Sequence, residues 1–114
     1  NGKIWILDWK TDNLAANRAL REAFPETGDW RDFYAEEAVN LHMKEAHYDI
    51  QYLCYLAAAR RLLRTRLGEG AQERLGGAVY FFVRGACVGR GVAVLPFEDV
   101  AERVKILEEM LGDD

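Results

Sequence analysis

The sequence predicts an α/β fold in which a mixed β-sheet is flanked by helices. Apolar runs of strand length open the chain and recur near residue 80, and a long helical segment lies between them. A strand–helix–strand order in one sheet favours parallel pairing through a right-handed crossover. The chain has 114 residues, half of them hydrophobic, which fits a single domain predicted to span residues 1–114.

The first element is a strand predicted from Lys3 to Lys10. Side chains alternate between the two faces of a strand. One face carries Ile4, Ile6, Asp8 and Lys10, and the other carries Trp5, Leu7 and Trp9. Because apolar residues occupy both faces, we expect both faces to be covered, as in α/β proteins.

Three helices are predicted next. A short one runs from Leu14 to Phe24 and ends before Pro25, and a loop follows over residues 25–29. A second is predicted over 33–45 from its apolar spacing. The third, from Tyr48 to Leu67, has an early Asp49 and is followed by glycines, as expected for helix ends. Its apolar girth indicates packing against the sheet.

The last third of the chain contains two strands and a helix. The continuous apolar run from Ala78 to Val83 is typical of a central strand buried on both faces. A shorter strand is predicted over 91–95, with Pro96 at its end. A final amphipathic helix is predicted from Glu98 to Leu111. Its buried stripe is expected to be Val100, Val104, Leu107 and Leu111.

Composition and charge exclude several classes of protein. The net charge of −4 argues against a stand-alone DNA-binding module, which is usually basic. Cys54 and Cys87 lie among apolar residues, so we expect two buried free thiols and a reducing compartment. No apolar run is long enough to span a bilayer and no signal peptide is apparent. We therefore expect a cytoplasmic protein without a membrane role.

An acid and an amine share one face of the first strand. Asp8 and Lys10 are two positions apart, so their side chains project the same way, roughly 6 to 7 Å apart. One interpretation is metal-assisted phosphodiester hydrolysis, in which the carboxylate binds Mg²⁺ and the ammonium activates water or stabilises the transition state. The other interpretation is an ion pair at a strand end, because such triplets are common.

The long helix adds a second polar pair. Gln51 and Tyr55 are four positions apart and therefore share a face, where they could orient a water, a carboxylate or a phosphate. The alternative is an interfacial glutamine beside a core tyrosine. Four arginines crowd the end of this helix: Arg60, Arg61, Arg64 and Arg66. We interpret them as a solvated face that favours the helix C-terminus rather than as a DNA-binding patch.

Three motifs together resemble the RecB-like nucleases. Residues 7–12 read LDWKTD and look like the DYKTN-type motif of that family. Residues 48–55 read YDIQYLCY and are similar to its YDLQYxxY helix. Residues 76–85 read GGAVYFFVRG and resemble its GGxxYxFxRG strand. The resemblance covers most of residues 3–111 and is weakest over 13–32.

The resemblance implies a truncated PD-(D/E)xK nuclease core from the C-terminal nuclease domain of the exodeoxyribonuclease V beta-subunit family. That family comprises bacterial helicase–nucleases that cut DNA with Mg²⁺ in recombinational repair of double-strand breaks. Asp8 would match the metal-binding acid, Lys10 the catalytic lysine, and the Trp9 carbonyl a further metal ligand. Gln51 and Tyr55 would match the supporting QxxxY pair near the scissile phosphate.

The same resemblance implies partners. They are DNA, the other subunits of the helicase–nuclease complex and a recombinase, with ATP used by helicase domains outside these residues. The alternative function is a non-catalytic module for recombinase loading or subunit contact.

The family pattern also includes a GxxD segment upstream, which this sequence lacks. Asn1-Gly2 is a strong signal for a hairpin turn, so we expect a chain cut between two paired strands. One carboxylate makes a poor Mg²⁺ site, so we expect little nuclease activity from these residues alone. We also expect the exposed edge of the first strand to favour self-association.

Overall fold

The computed structural model describes residues 2–26 and 28–112. Three strands of this part of the chain form one sheet in the order β1-β2-β3. They are β1 (Ile4–Lys10), β2 (Leu75–Phe82) and β3 (Val92–Pro96). The α-helices are α1 (Arg18–Ala23), α2 (Glu36–Glu45), α3 (Tyr48–Leu67), α4 (Val83–Ala86) and α5 (Ala101–Met110). The predicted α/β fold with a mixed sheet and flanking helices is confirmed.

The pairing of side chains and backbone shows why the sheet is mixed. Trp5 lies against Gly76 and Trp9 stacks on Phe81, so β1 and β2 advance in the same direction. The amide of Phe82 donates to the carbonyl of Gly91, which begins the antiparallel ladder between β2 and β3. The central position of β2 confirms the interpretation of its apolar run.

The described residues form two compact units. Unit 1 contains residues 2–6, 49–78 and 94–112, and includes most of α3 and all of α5. Unit 2 contains residues 7–26, 28–48 and 79–93, and includes α1, α2 and α4. The expectation of one domain over residues 1–114 stays a prediction. Asn1 lies outside the described residues, so the hairpin turn predicted there also stays a prediction.

The faces of β1 differ from the expectation. The side chains of Trp5, Leu7 and Trp9 are 43%, 51% and 59% exposed, while the residues of the other face are half-buried. The prediction that both faces are covered is therefore wrong for the described chain. Trp9 stacks on Phe81 with the ring centroids 4.9 Å apart. That contact joins neighbouring strands of the same sheet and does not cover its face. Apolar strand residues favour a covering layer without requiring that these 114 residues supply it.

The helix predicted from Leu14 to Phe24 is interrupted. A 3₁₀ turn over Leu14–Ala16 precedes α1. The side-chain oxygen of Asn17 then caps α1 by accepting hydrogen bonds from the backbone N–H groups of Ala19 and Leu20. Asparagine competes with helical backbone bonding in this way, which is why it favours caps over helix interiors. The helix predicted over 33–45 likewise becomes a 3₁₀ turn, Trp30–Tyr34, followed by α2.

The prediction for α3 matches its observed bounds. The last helix begins later than predicted, after a 3₁₀ turn over Phe97–Asp99. Its stripe is only partly as predicted, because Val100 and Val104 are buried whereas Leu111 is 64% exposed. One turn after Val104, the buried residue of α5 is Glu108 rather than an apolar residue.

The buried partner of Glu108 is Arg60 on α3. Arg60 is 5% exposed, and its Nε donates to the Glu108 carboxylate at 2.9 Å. Arg64 Nη1 lies 3.6 Å from the same carboxylate, and the Arg60 guanidinium lies 5.0 Å from the centroid of the Phe97 ring. The interpretation of the arginines as a solvated face is therefore wrong for Arg60, and also for Arg64, whose side chain is 15% exposed. The partner of Arg60 is 48 positions away, where helix periodicity carries no information.

Gly77 marks a close approach of two strands. Its φ is +146°, and an added Cβ would collide with the carbonyl oxygen of Leu95 and the backbone of Pro96. We expect Gly77→Ala to lower the free energy of unfolding of the chain by about 2 kcal/mol or more, since it combines backbone strain with overpacking. Gly28→Ala is the control, because Gly28 has open space around its Cα. Equal urea midpoints for the two variants would contradict this expectation.

The two cysteines are free and exposed. The prediction of buried thiols is wrong, because apolar sequence neighbours do not decide which way a side chain points.

Among the helices of residues 2–26 and 28–112, none combines the length and the apolarity that crossing a bilayer requires. β1 is an edge strand of the described sheet, and self-association through that edge stays a prediction.

Candidate functional site

Asp8 and Lys10 meet at the end of β1 in unit 2. The Lys10 ammonium lies 3.4 Å from Asp8 Oδ2. Both side chains are largely buried, with 16% of the Lys10 side chain and 15% of the Asp8 side chain exposed. The strand places them together because positions two apart project to one face. The sequence prediction that the acid and the amine converge is therefore seen in the structure, and so is the ion pair of the alternative interpretation.

Aromatic rings complete the surroundings of Lys10. Its Nζ lies 4.3 Å from the centroid of the Tyr48 ring and 5.6 Å from that of Tyr80. Tyr48 is the first residue of α3 and follows His47, which adopts a left-handed φ of 62° between α2 and α3. An ammonium over an aromatic face is attracted by the ring quadrupole, most strongly where water is largely excluded. The Lys10 ammonium thus contacts both a carboxylate and a phenol ring.

A second carboxylate, Asp12, lies next to this pair and was missed from the sequence as a site residue. Its Oδ2 accepts a hydrogen bond from the Tyr48 hydroxyl at 2.6 Å and lies 2.7 Å from His42 Nε2. His42 is buried, and its Nδ1 lies 2.7 Å from Asn17 Nδ2. The sequence offered one signal for Asp12, its spacing of two from Lys10. Nothing local pointed to His42, which is 30 positions away.

The environment of Asp12 favours its ionised form. Burial by itself would raise the pKa of this carboxyl group. The hydrogen bonds from Tyr48 and His42, together with the positive charge of Lys10, outweigh burial and hold the pKa below its ordinary value of 3.8. Asp12 is therefore a carboxylate at neutral pH, and its hydrogen bonds are those of a charged acceptor.

This lowered pKa gives a prediction for stability against pH. A carboxyl group whose pKa is lower in the folded than in the unfolded chain stabilises the fold above its unfolded pKa. That stabilisation is lost as the pH falls through the lower, folded value. We expect the wild-type chain to resist urea better than Asp12→Asn at pH 7, with the difference shrinking once the pH is below about 4. A difference that grows with acidity would contradict the assignment.

The oxygen atoms of Asp8 and Trp9 are too few to satisfy a Mg²⁺ ion. The resemblance assigns Asp8 and the Trp9 carbonyl as metal ligands, and Mg²⁺ prefers several oxygen ligands in octahedral geometry. Within residues 2–26 and 28–112, no group of three or more His, Cys, Asp or Glu side chains could hold a metal ion. The residues that the structure describes therefore do not gather the oxygen ligands of a complete magnesium site.

Gln51 and Tyr55 lie on α3 in unit 1, four positions apart and both half-buried. The prediction that they share a helix face follows from the observed helix. Asp8 and Lys10 lie in unit 2, so the convergence of the two pairs stays a prediction. The structure thus brings together Asp8, Lys10, Asp12 and Tyr48, of which the sequence had singled out the first two as site residues.

Comparison with known proteins gives one consistent result. The chain is 31% identical over 85 residues to "RecBCD enzyme subunit RecB" of Escherichia coli (strain K12), which covers 74% of this chain. It is 34% identical over 83 residues, or 72% of the chain, to the protein of that name from Mycobacterium tuberculosis. The figure for Borreliella burgdorferi is 31% over 84 residues. The match spans 6% of the length of each of these relatives. No protein-family model and no solved structure matches the chain.

Proposed function

We propose, on the premise that this chain belongs to the RecB family over the segment that it matches, that it supplies part of a DNA nuclease site in a RecB-type subunit. The site would cut a phosphodiester bond of DNA with the help of Mg²⁺, in a complex that acts in recombinational repair. Asp8 would bind the metal ion together with the Trp9 carbonyl. Lys10 would stabilise charge at the phosphate or hold the attacking water.

The observation that carries the proposal is the position of Lys10. Its ammonium is largely buried, 3.4 Å from Asp8 Oδ2 and 4.3 Å from the Tyr48 ring centroid, which is a costly place for a charge without a use. The alternation of β1 aims the acid and the amine to the same side. The motifs LDWKTD and YDIQYLCY, which resemble the family pattern, contain Asp8, Lys10 and Tyr48, together with Gln51 and Tyr55 as the supporting pair.

The incomplete ligand set limits what these residues do alone. Asp8 offers one carboxylate, and Mg²⁺ needs more oxygen ligands than the described chain gathers there. We therefore propose that these 114 residues have little nuclease activity by themselves and that further ligands come from other parts of the RecB-type polypeptide. DNA and the other subunits of the complex are the proposed partners, with ATP bound by other domains of that polypeptide.

One observation favours a second candidate, a non-catalytic module that contacts a recombinase or another subunit. Asp8 and Lys10 already neutralise each other as an ion pair, which requires no metal ion and no substrate. The two candidates differ in whether these side chains are needed for cleavage. The deciding experiment is DNA cleavage by the full-length RecB-type protein carrying Asp8→Ala or Lys10→Ala, with Mg²⁺ present or chelated. Loss of cleavage with unwinding retained supports the nuclease site, and full cleavage by both variants supports the module.

A further inference from the structure

Asp12 has no role in the proposed cleavage, yet its carboxylate is hydrogen-bonded to both Tyr48 and His42 beside Lys10. We propose that Asp12 is a positioning residue for Lys10 and that it acts through the ring of Tyr48. This inference deepens the proposed nuclease function and rests on it. It is carried by a chain of hydrogen bonds from the start of α1 to the Tyr48 hydroxyl, and by the contact of the Tyr48 ring with the Lys10 ammonium, all within unit 2.

The first link fixes the orientation of the Asn17 amide. Asn17 Oδ1 accepts hydrogen bonds from the backbone N–H groups of Ala19 at 2.8 Å and Leu20 at 3.3 Å. The amide nitrogen must then face His42, where Nδ2 donates to Nδ1 at 2.7 Å. A ring nitrogen that accepts a hydrogen bond carries no proton. The cap of α1 therefore favours the His42 tautomer whose proton is on Nε2.

The second link follows from that tautomer. With Nδ1 accepting, His42 carries its proton on Nε2 and donates it to Asp12 Oδ2 at 2.7 Å. The Asp12 backbone is fixed as well, because its carbonyl accepts from the Tyr34 hydroxyl at 3.1 Å. The Asp12 carboxylate thus has little freedom to turn, and its Oδ2 presents a fixed acceptor to Tyr48.

The third link reaches the ammonium group. The Tyr48 hydroxyl donates to Asp12 Oδ2 at 2.6 Å, which anchors the end of the ring whose face meets Lys10 Nζ. A phenol that donates to a carboxylate is polarised toward greater negative charge on its ring, and this strengthens its attraction for a cation. Asp12 therefore fixes both the place and the strength of the contact that Lys10 makes with the Tyr48 ring, besides its contact with Asp8.

The first test measures the tautomer of His42, which depends on the hydrogen-bond chain and requires no cleavage assay. In the 114-residue chain at pH 8, ¹⁵N NMR of the histidine ring should find His42 with its proton on Nε2. The Asp12 carboxylate can only accept, so it favours the same tautomer as Asn17 does. The double variant Asn17→Ala/Asp12→Ala should weaken that preference, because Nδ1 loses its donor and Nε2 loses its acceptor. A proton on Nδ1 in the wild type, or an unchanged tautomer preference in the double variant, would overturn the inference.

The second test reads the effect on Lys10 in the full-length RecB-type protein. Tyr48→Phe keeps the ring and removes only its anchor, so it is the variant expected to fold normally. We expect kcat for DNA cleavage to fall about tenfold to hundredfold in Tyr48→Phe and Asp12→Ala, with KM within about twofold of the wild type. Asp12→Asn keeps an acceptor oxygen and should restore much of kcat. Asp99→Asn, an exposed acid on another element, is the control.

The outcomes separate this inference from the proposed function. Normal kcat in both Tyr48→Phe and Asp12→Ala, beside an inactive Lys10→Ala, would overturn the positioning role and leave the nuclease site standing. Full cleavage by Lys10→Ala would overturn the nuclease site and the positioning role with it. A fall in kcat that Asp12→Asn does not relieve would also count against the hydrogen-bond chain, because the acceptor geometry is retained there.

Discussion

Asp8→Ala and Lys10→Ala are each expected to reduce DNA cleavage by the full-length RecB-type protein at least about a hundredfold. The physical reason is that each side chain would meet charge that develops at the phosphate. Asp8 would hold the metal ion that polarises it, and Lys10 would supply positive charge from a largely water-excluded position. The measurement is the rate of linear duplex digestion with Mg²⁺, with ATP-dependent unwinding followed in parallel.

Matched controls are available on α5. Lys105→Ala and Glu102→Ala remove an exposed ammonium and an exposed carboxylate far along the sequence from β1. Both control variants should cleave and unwind like the wild type. If Asp8→Ala and Lys10→Ala also cleaved at the wild-type rate, the pair would be a structural ion pair and the non-catalytic module would be the better account. If unwinding were lost together with cleavage, the variants would have lost the fold rather than the chemistry.

Arg60→Ala or Glu108→Ala is expected to lower the free energy of unfolding of the chain by about 3–5 kcal/mol. Both side chains are buried in unit 1, with 6% and 9% exposure, and they are joined at 2.9 Å. Removing Arg60 leaves the Glu108 carboxylate with Arg64 at 3.6 Å, and removing Glu108 leaves the Arg60 guanidinium with the exposed Glu73 at 4.0 Å. The cost is expected to exceed that of a typical core substitution, because a short buried hydrogen bond is lost and the remaining charge keeps only a longer contact. Urea unfolding followed by circular dichroism measures it.

Two comparisons show whether burial is the cause. The double variant Arg60→Met/Glu108→Leu removes both charges and keeps apolar volume, so it should unfold with a free energy close to that of the wild type. The exposed pair Arg18–Glu22, at 3.1 Å but with 84% and 67% exposure, should contribute almost nothing when either member becomes Ala. A double variant as unstable as the single ones would mean that the side-chain shapes, rather than the charges, stabilise this contact.

The local elements of this protein were predictable because each rule needs only neighbouring residues. The bounds of α3 follow from periodicity and helix-end signals within twenty positions, and they match the structure. The meeting of Asp8 and Lys10 follows from the two-residue repeat of a strand. The break in the predicted first helix lies at Asn17, whose preference for a cap was also a local signal.

The contacts that define the candidate site needed the tertiary structure. His42 reaches Asp12 across 30 positions, Tyr48 reaches it across 36, and Arg60 reaches Glu108 across 48. Sequence periodicity tells which side of an element a residue occupies, but not which other element will face that side. The sequence by itself thus determined the fold class, the strand that carries Asp8 and Lys10, and the helix that begins at Tyr48. The packing of elements decided that Asp12 would be a bonded carboxylate and Arg60 a buried cation, because a buried charge is stable only where the fold brings it a partner.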